Sequence, residues 1–365
     1  MTRPTTRVRD LSPPGEILAE ALEERGITNS ELARRTGLSE KHVSQLVNAR
    51  VPLSMEVALQ LERVLGIPAR FWNSLEFNYR AEQKREEQRA DMDAFADWMR
   101  GFPLPAMRRA GYFPGRTVGQ SVRERVEALL NFFGVASPEA WAAEWEFATG
   151  RFRKSPKFNP NQSALVAWLR RGELESQAIR CARFSREGFR SALQEARALT
   201  TQPPDEFVPS LVDLCASAGV ALTLIPSLPG LAISGVTRWK GSDKALVSLS
   251  LRFKSDDQLW FTFFHEACHV LEHKTGTIYI DSPADPDGDA DERRANEFAR
   301  DSLIPPAEFA RLVTAGRPTH SEVEAFAQSI GISPGIVVGR LQHAGILDHK
   351  YGNGLKRYFQ WDFEG

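Results

Sequence analysis

Cysteine is scarce in this chain: three in 365 residues (Cys181, Cys215, Cys268), an odd number with no close pair. That excludes a disulfide scaffold and a Cys-rich metal cluster, and it favours a reducing cytoplasmic setting. Long apolar runs are missing too. No window approaches the ~18 uninterrupted apolar residues of a spanning helix, so no membrane is expected as a partner. The opening Met1-Thr-Arg-Pro-Thr-Thr-Arg7 has positive charge but no apolar stretch behind it, so no secretory signal is expected. Net charge is almost absent, with 46 Lys+Arg against 47 Asp+Glu. Such balance argues against a protein that coats nucleic acid non-specifically, while leaving room for a small local DNA-binding module. Internal repeats and low-complexity tracts are lacking as well. What is present is an ordinary globular composition, 42% hydrophobic, at a length that suggests two or three domains.

Along the chain, residues 11–75 read as short helices separated by sharp turns. Pro13-Pro14-Gly15 opens the first, Ile17, Leu18, Ala21 and Leu22 recur at helical spacing, and Gly26 closes it. A charged stretch from Glu76 to about Met99 reads as a helix leaving this domain, with Glu82/Arg85 and Glu86/Arg89 as opposite charges on a solvated face. Residues 101–200 look mainly helical, with Trp141, Trp145, Phe147, Trp168 and Phe189 as core. Pro203-Pro204 marks a boundary. A helix near Phe207–Ala218 and strand candidates at 220–225, 231–239 and 244–253 follow, then helices again. The expected fold is therefore α+β and mainly helical. It comprises an all-α N-terminal domain at 1–75, a helical connecting or sensing region at 76–202, and a small sheet with helices at 203–365.

Thr28-Asn-Ser-Glu31 has the form of a capping box, Gly37 breaks the helix it opens, and Ser39 is a natural N-cap for the next. That second helix turns Val43, Leu46 and Val47 inward and shows Lys41, His42, Ser44, Gln45 and Asn48. Two helices joined by a short glycine turn form the helix-turn-helix unit, whose second helix enters the major groove. Gln45 and Asn48 suit adenine edges, and Arg34, Arg35, Lys41 and Arg50 suit phosphates. Spacing alone also fits an ordinary helical pair, and charge does not decide, because residues 1–72 hold ten basic and nine acidic groups. Resemblance does. Pro14-Gly-Glu-Ile-Leu, Leu32-Ala-Arg-Arg-Thr-Gly-Leu-Ser39, Val43-Ser-Gln-Leu-Val-Asn48 and Leu65-Gly-Ile-Pro-Ala-Arg-Phe-Trp72 together resemble the XRE/HigA-type antitoxin DNA-binding domain. The resemblance implies a homodimer on a palindromic double-stranded operator.

The strongest chemical signal is His265-Glu266-Ala-Cys-His269, inside a stretch free of proline and glycine that reads as a buried helix. Positions i and i+4 share one helix face, so both imidazoles can meet one metal ion with Glu266 beside it. Zinc takes imidazole readily, and a hydrolytic site keeps a position open for water, whose proton Glu266 would take as general base. A buried helix bearing His, Glu and His is costly unless these groups are paired or bind metal. Asp291, Glu292 and Glu297, near the start of the following helix, compete as third ligand. The pentad followed by Glu292-x-x-Ala-Asn-x-Phe-Ala-x-x-x-Leu-Ile-Pro305 resembles the ImmA/IrrE metallopeptidase domain over about Gly219 to Leu347. The resemblance implies zincin-like helices, Zn2+ on His265, His269 and Glu292, and Glu266 as base. Many relatives carry Leu-Gly before the second histidine, where this chain has Ala267-Cys268. Cys268 is expected to pack as a small apolar residue, its thiol a weaker candidate for redox sensitivity.

Four further features carry less. His343, in a family-like segment, is a possible transition-state donor. His273 lies one turn beyond His269. The aspartates from Asp281 to Asp291 fail the calcium-loop pattern, because the sixth position counted from Asp285 is Ala290 and the twelfth is Asn296. Val323 to Leu341 repeats the helix, glycine turn, serine, helix order, but Gly335-Ile-Val-Val-Gly339 leaves no polar reading face, so packing beside the metal domain is expected. The favoured function is a cytoplasmic DNA-binding regulator whose zinc peptidase-like domain cleaves a protein partner such as a repressor or antitoxin. Two alternatives stay open: a repressor whose metal domain senses a ligand without turnover, and a protease whose N-terminal domain docks a protein.

Overall fold

Side-chain caps set the starts of three of the first five helices. The computed structural model describes residues 12–113, 121–151, 162–272, 279–280, 290–314 and 316–362. It opens with α1 (Pro14–Glu24), α2 (Asn29–Thr36), α3 (Glu40–Val47), α4 (Met55–Leu65) and α5 (Ala69–Ala94). Thr28, Ser39 and Ser54 accept from the amides of Glu31, His42 and Val57, satisfying donors that the first turn leaves unpaired. The box expected at Thr28 forms by half: the Glu31 carboxylate pairs with Arg35, one turn along its own helix, instead of returning to Thr28. Gly37 (φ 77°) turns the chain between α2 and α3 in the left-handed region that costs glycine least. Leu18, Leu32, Val43, Leu46, Ala58, Leu61 and Trp72 make the core. A Cβ on Gly15 would lie 2.3 Å from the Leu46 carbonyl oxygen, so α1 can sit on the end of α3 only without one. After Trp72, α5 runs on as the expected charged helix, with pairs Arg80–Glu76 (2.7 Å) and Arg85–Glu82 (3.2 Å). The Arg89 side chain, and with it the Glu86/Arg89 pair, lies outside the described residues.

This unit ends at Ala96, and a second runs from Asp97. Its helices are α6 (Ala96–Arg100), α7 (Leu104–Arg109), α8 (Val122–Phe133), α9 (Pro138–Arg151), α10 (Gln162–Ala178), α11 (Arg186–Ala198) and α12 (Pro204–Ser217), before the sheet. Trp98, Phe102, Phe133, Trp141 and Trp145 pack edge to face among the first of these. The Phe147 side chain and residues 152–161 lie outside the described residues.

Strands β1 (Val220–Leu224), β2 (Gly235–Lys240), β3 (Lys244–Leu249) and β4 (Tyr279–Ile280) form a sheet in the order β1-β3-β2-β4. β1 runs parallel to β3, and β2 runs antiparallel to both β3 and β4. The strands are shorter than expected because turns intrude: Leu231 N–H bonds back to Leu228, and Lys254 N–H to Leu251. One face of the sheet (Val220, Leu222, Ala245, Val247, Leu249) packs on Trp260, Phe263, Phe264 and Val270 of α13 (Asp256–Glu272). The other face receives α10, from the stretch expected to be connecting. A Cβ on Gly172 would meet the Ser248 hydroxyl at 2.4 Å. Arg238 donates to the Leu169 carbonyl (2.8 Å), and Lys244 caps the end of α10 at the Ser176 and Ile179 carbonyls (2.8 and 2.9 Å).

Four helices complete the unit: α14 (Ala290–Leu303), α15 (Pro306–Thr314), α16 (His320–Ile330) and α17 (Pro334–His343). As expected, the last two pack beside the helix of the pentad. Gly335 and Gly339 leave room for the carboxylates of Asp256 and Asp257 at the start of α13. Ser333 donates its hydroxyl to Asp256 rather than capping α17. Asp257 pairs with Lys356 at 2.7 Å, with side chains only 5% and 10% exposed, and Lys356 also donates to Gln342 (2.8 Å). Burial pushes the Asp256 carboxyl above the usual range against the opposing Ser333 hydrogen bond. The architecture is the expected one, α+β and mainly helical with an all-α first unit. Among the described residues no helix is long and apolar enough to cross a membrane.

The contact of α10 with the sheet yields a stability test. Gly172→Leu forces a side chain between α10 and β3, an overpacking expected to lower stability by ~1–3 kcal/mol. The urea midpoint should fall with the slope unchanged; an unaltered midpoint would refute the tight contact.

Candidate metal centre

Helix α13 is apolar on every side, and its central ionisable groups are taken wholly out of water: His265 is 2%, Glu266 0% and His269 1% exposed. The four-residue spacing brings the two imidazoles together, Nε2 to Nε2 at 3.1 Å. Helix α14 packs alongside and supplies Glu292, whose oxygens lie 3.1 Å from His265 Nε2 and 3.4 Å from His269 Nε2. One ligand atom from each residue falls within 4.8 Å of the others. Two imidazoles and a carboxylate are a donor set that zinc accepts. The surroundings fit such an ion. Asn296 Oδ1 sits 2.9 Å from His265 Nδ1 and holds the proton there, which leaves the Nε2 lone pair for a metal. Burial works to raise the Glu292 carboxyl, but its contacts with the His265 and His269 rings outweigh it and hold it down at about 2, so it is an anion.

Glu266 follows His265 and points to strand β2. Thr237 Oγ1 donates to Glu266 Oε2 at 2.6 Å and approaches the Glu266 carbonyl oxygen at 3.1 Å. A Cβ on Gly235 would lie 2.6 Å from Glu266 Oε1 and 2.7 Å from its Cγ. Gly235 and Thr237, two apart on one face of β2, therefore hold the carboxylate from two sides: one by leaving space, the other by donating a hydrogen bond. Neither was expected from sequence. Asn296 lies four residues after Glu292 and so on the same helix face, a spacing visible in the sequence.

Among the competing acids, Glu292 joins the histidines. Asp291 pairs with Arg294, and Glu297 lines an outer groove with Cys268, Glu272, Arg294 and Phe298. The Cys268 thiol is buried and pushed up to about 12, by desolvation first and then by nearby Glu272, so it stays a packed thiol. His343 ends α17 as an exposed side chain and is not in the converging set. His273 and the aspartates from Asp281 to Asp289 lie outside the described residues.

In the first unit, Lys41, Ser44 and Asn48 are exposed along α3 and its end, with His42 and Gln45 half-buried on the same helix. Arg34 and Arg35 are exposed on α2, and Arg50 just beyond α3. Two of these already have local bonds: Arg35 with Glu31, and Asn48 Nδ2 with the Ser44 carbonyl (2.7 Å).

A capped helix pair at one end and a His-His-Glu cluster beside a buried glutamate at the other define a DNA-binding regulator with a peptidase-like domain. Residues 18–72 match the helix-turn-helix family, and residues 234–342 match the IrrE N-terminal-like domain, a peptidase family. The chain thus joins an XRE-type helix-turn-helix domain to an ImmA/IrrE-type metallopeptidase domain. Comparison with curated proteins returned no significant match.

Asn296 gives the site its own test. Asn296→Leu removes the partner of His265 Nδ1 and should weaken zinc binding ~10–100-fold in chelator competition. Unchanged affinity would show that the amide does not orient the ligand.

Proposed function

We propose that this regulator binds a palindromic operator as a homodimer and hydrolyses a peptide bond in a protein partner of repressor or antitoxin type. The observation that carries the hydrolytic part is the convergence of His265, His269 and Glu292 with Glu266 fixed one residue away. Zinc held by those three residues would polarise a peptide carbonyl and acidify a water. Glu266, steadied by Thr237, takes the water's proton and returns it to the leaving amine. The buried surroundings strengthen each of these electrostatic contacts. His343 is the proposed donor to the developing oxyanion, a role for which only the family-like segment speaks.

On the DNA side, Gln45, Asn48, His42 and Ser44 read bases, while Arg34, Arg35, Lys41 and Arg50 meet phosphates. Exposed Met55, Leu59, Phe71 and Phe77 on α4 and α5 support pairing of two first units. Free thiols at Cys181, Cys215 and Cys268 suit a cytoplasmic protein. Functionally we divide the chain into 1–75 for DNA, 76–202 as a connecting or sensing region, and 203–365 for the metal chemistry.

Purified protein should hold about one zinc per chain. Glu266→Gln should keep the metal yet lose ~10²–10⁴-fold in cleavage, seen by comparing cellular protein fragments between wild type and variant. Cleavage at the wild-type rate would remove Glu266 from the base role. Binding to the chain's own promoter fragment should weaken in Lys41→Ala and Gln45→Ala, and fall as salt rises. Absence of operator binding at low salt would refute the DNA role.

A further inference from the structure

Between the start of α16 and the turn that follows α17, the second unit holds a cavity that neither the metal chemistry nor DNA reading uses. It measures about 270 Å³ and is lined chiefly by Arg317, His320, Val323, Val338, Leu347 and Tyr351. Its floor is apolar, since Val323, Val338 and Leu347 are buried. Gly352 closes one side at a point where a Cβ would lie 2.9 Å from Val338 Cγ1, so the backbone itself forms the wall there. A dry apolar cavity of ~150 Å³ already holds one benzene ring. The volume here therefore accepts a ring or a short alkyl chain together with a polar head.

The rim is polar and carries charge of one sign. Arg317 stacks its guanidinium on the Tyr351 ring, 4.7 Å from the centroid, which sets the plane of the fork. Tyr351 is anchored in turn. Its N–H donates to the Asp348 carbonyl (2.9 Å), and its own carbonyl accepts from Nε2 of the buried Gln342 (2.8 Å). Arg317 has no ion-pair partner among the described residues, and no carboxylate lines the cavity. The acids closest along the chain are engaged elsewhere: Glu322 accepts from the Thr319 amide and hydroxyl (2.7 and 2.8 Å), and Asp348 from the Lys350 amide (2.9 Å). An arginine fork held flat on an aromatic ring, over an apolar floor and with no acid facing it, suits a carboxylate joined to an apolar body. A cationic ligand is disfavoured, because Arg317 already covers the ring face that would attract it.

We infer that this cavity is a binding site for a small monocarboxylate, whose ring or short alkyl chain fills the space over Val323, Val338 and Leu347 while Arg317 holds its carboxylate. The site shares no residue with the metal centre or with α3, so it stands or falls apart from the peptidase and operator readings. It does adjoin the packing of the metal helix: Val338 lies on α17 between Gly335 and Gly339, which face Asp256 and Asp257 of α13. The full-length chain is titrated calorimetrically with benzoate, phenylacetate and hexanoate, each against its neutral amide, and its thermal midpoint is followed with the same ligands. At least one acid should bind ~10-fold more tightly than its amide, the difference that a charge-assisted pair supplies. That acid should also raise the midpoint, as any ligand of the folded state does. Arg317→Gln, at an exposed side chain, should abolish the preference, and Tyr351→Ala should weaken it by releasing the guanidinium. Lys350→Gln, which removes an exposed cation that does not line the cavity, should leave it intact. No binding of any ligand, equal affinities of every acid and its amide, or a preference that survives Arg317→Gln would each overturn the site. A preference lost equally in Lys350→Gln would show general attraction to a basic surface and overturn it as well.

Discussion

Three ionisable groups sit in the middle of a helix that is buried on every side, and taking such groups out of water costs several kcal/mol each unless neighbours compensate. Much of the second unit answers that demand. Helix α14 brings the Glu292 carboxylate to both imidazoles, and Asn296 from the same helix accepts at His265. Strand β2 brings a hydroxyl to Glu266. For Thr237 to stand there, β2 must lie inside the sheet, between β3 and β4, which is where the strand order puts it. The arrangement that makes burial tolerable is also the one that leaves two imidazoles and a carboxylate converging on a point.

Close approach is the second theme, and it is achieved by leaving atoms out. Gly172 lets α10 lie on the sheet, Gly335 and Gly339 let α17 straddle the acids that begin α13, and Gly235 makes room for Glu266. α17 and β2 are thus seated against α13, and α10 against the sheet, at positions with no Cβ. Packing at this density transmits displacement rather than absorbing it, so small errors in the sheet reach Glu266.

Relations within one helix were legible in the sequence. The pair His265 and His269 is an i, i+4 relation, and the helix-turn-helix announces itself through Ser39, Gly37 and the spacing of Val43 and Leu46. Relations across elements were not. Thr237 meets Glu266 over 29 residues and Lys356 meets Asp257 over 99, and no periodicity registers which strand or loop will face which helix. Even local signals fail where a competitor exists: the Thr28 box lost its second bond because Arg35 offered Glu31 a charged partner. The two-residue strand β4 is too short to show alternation, and nothing in the sequence of α10 registers that Gly172 will meet Ser248 of the sheet. The acid that joins the two histidines needed the family resemblance, since Asp291, Glu292 and Glu297 are equivalent by composition and only the helix phase separates them.

The pairing of Lys356 and Arg357 with the start of α13 also sets an order of assembly. Asp256 is bonded by the backbone of Arg357, and Asp257 by Lys356. During synthesis the helix that bears His265 and His269 emerges some 99 residues ahead of its counter-ion. Until that counter-ion arrives, two carboxylates at the head of the helix favour staying in water over entering the interior. The DNA-binding unit, whose core is complete by Trp72, has no such wait. A nascent chain therefore acquires its helix-turn-helix unit well before the helix that bears His265 and His269 is locked in place.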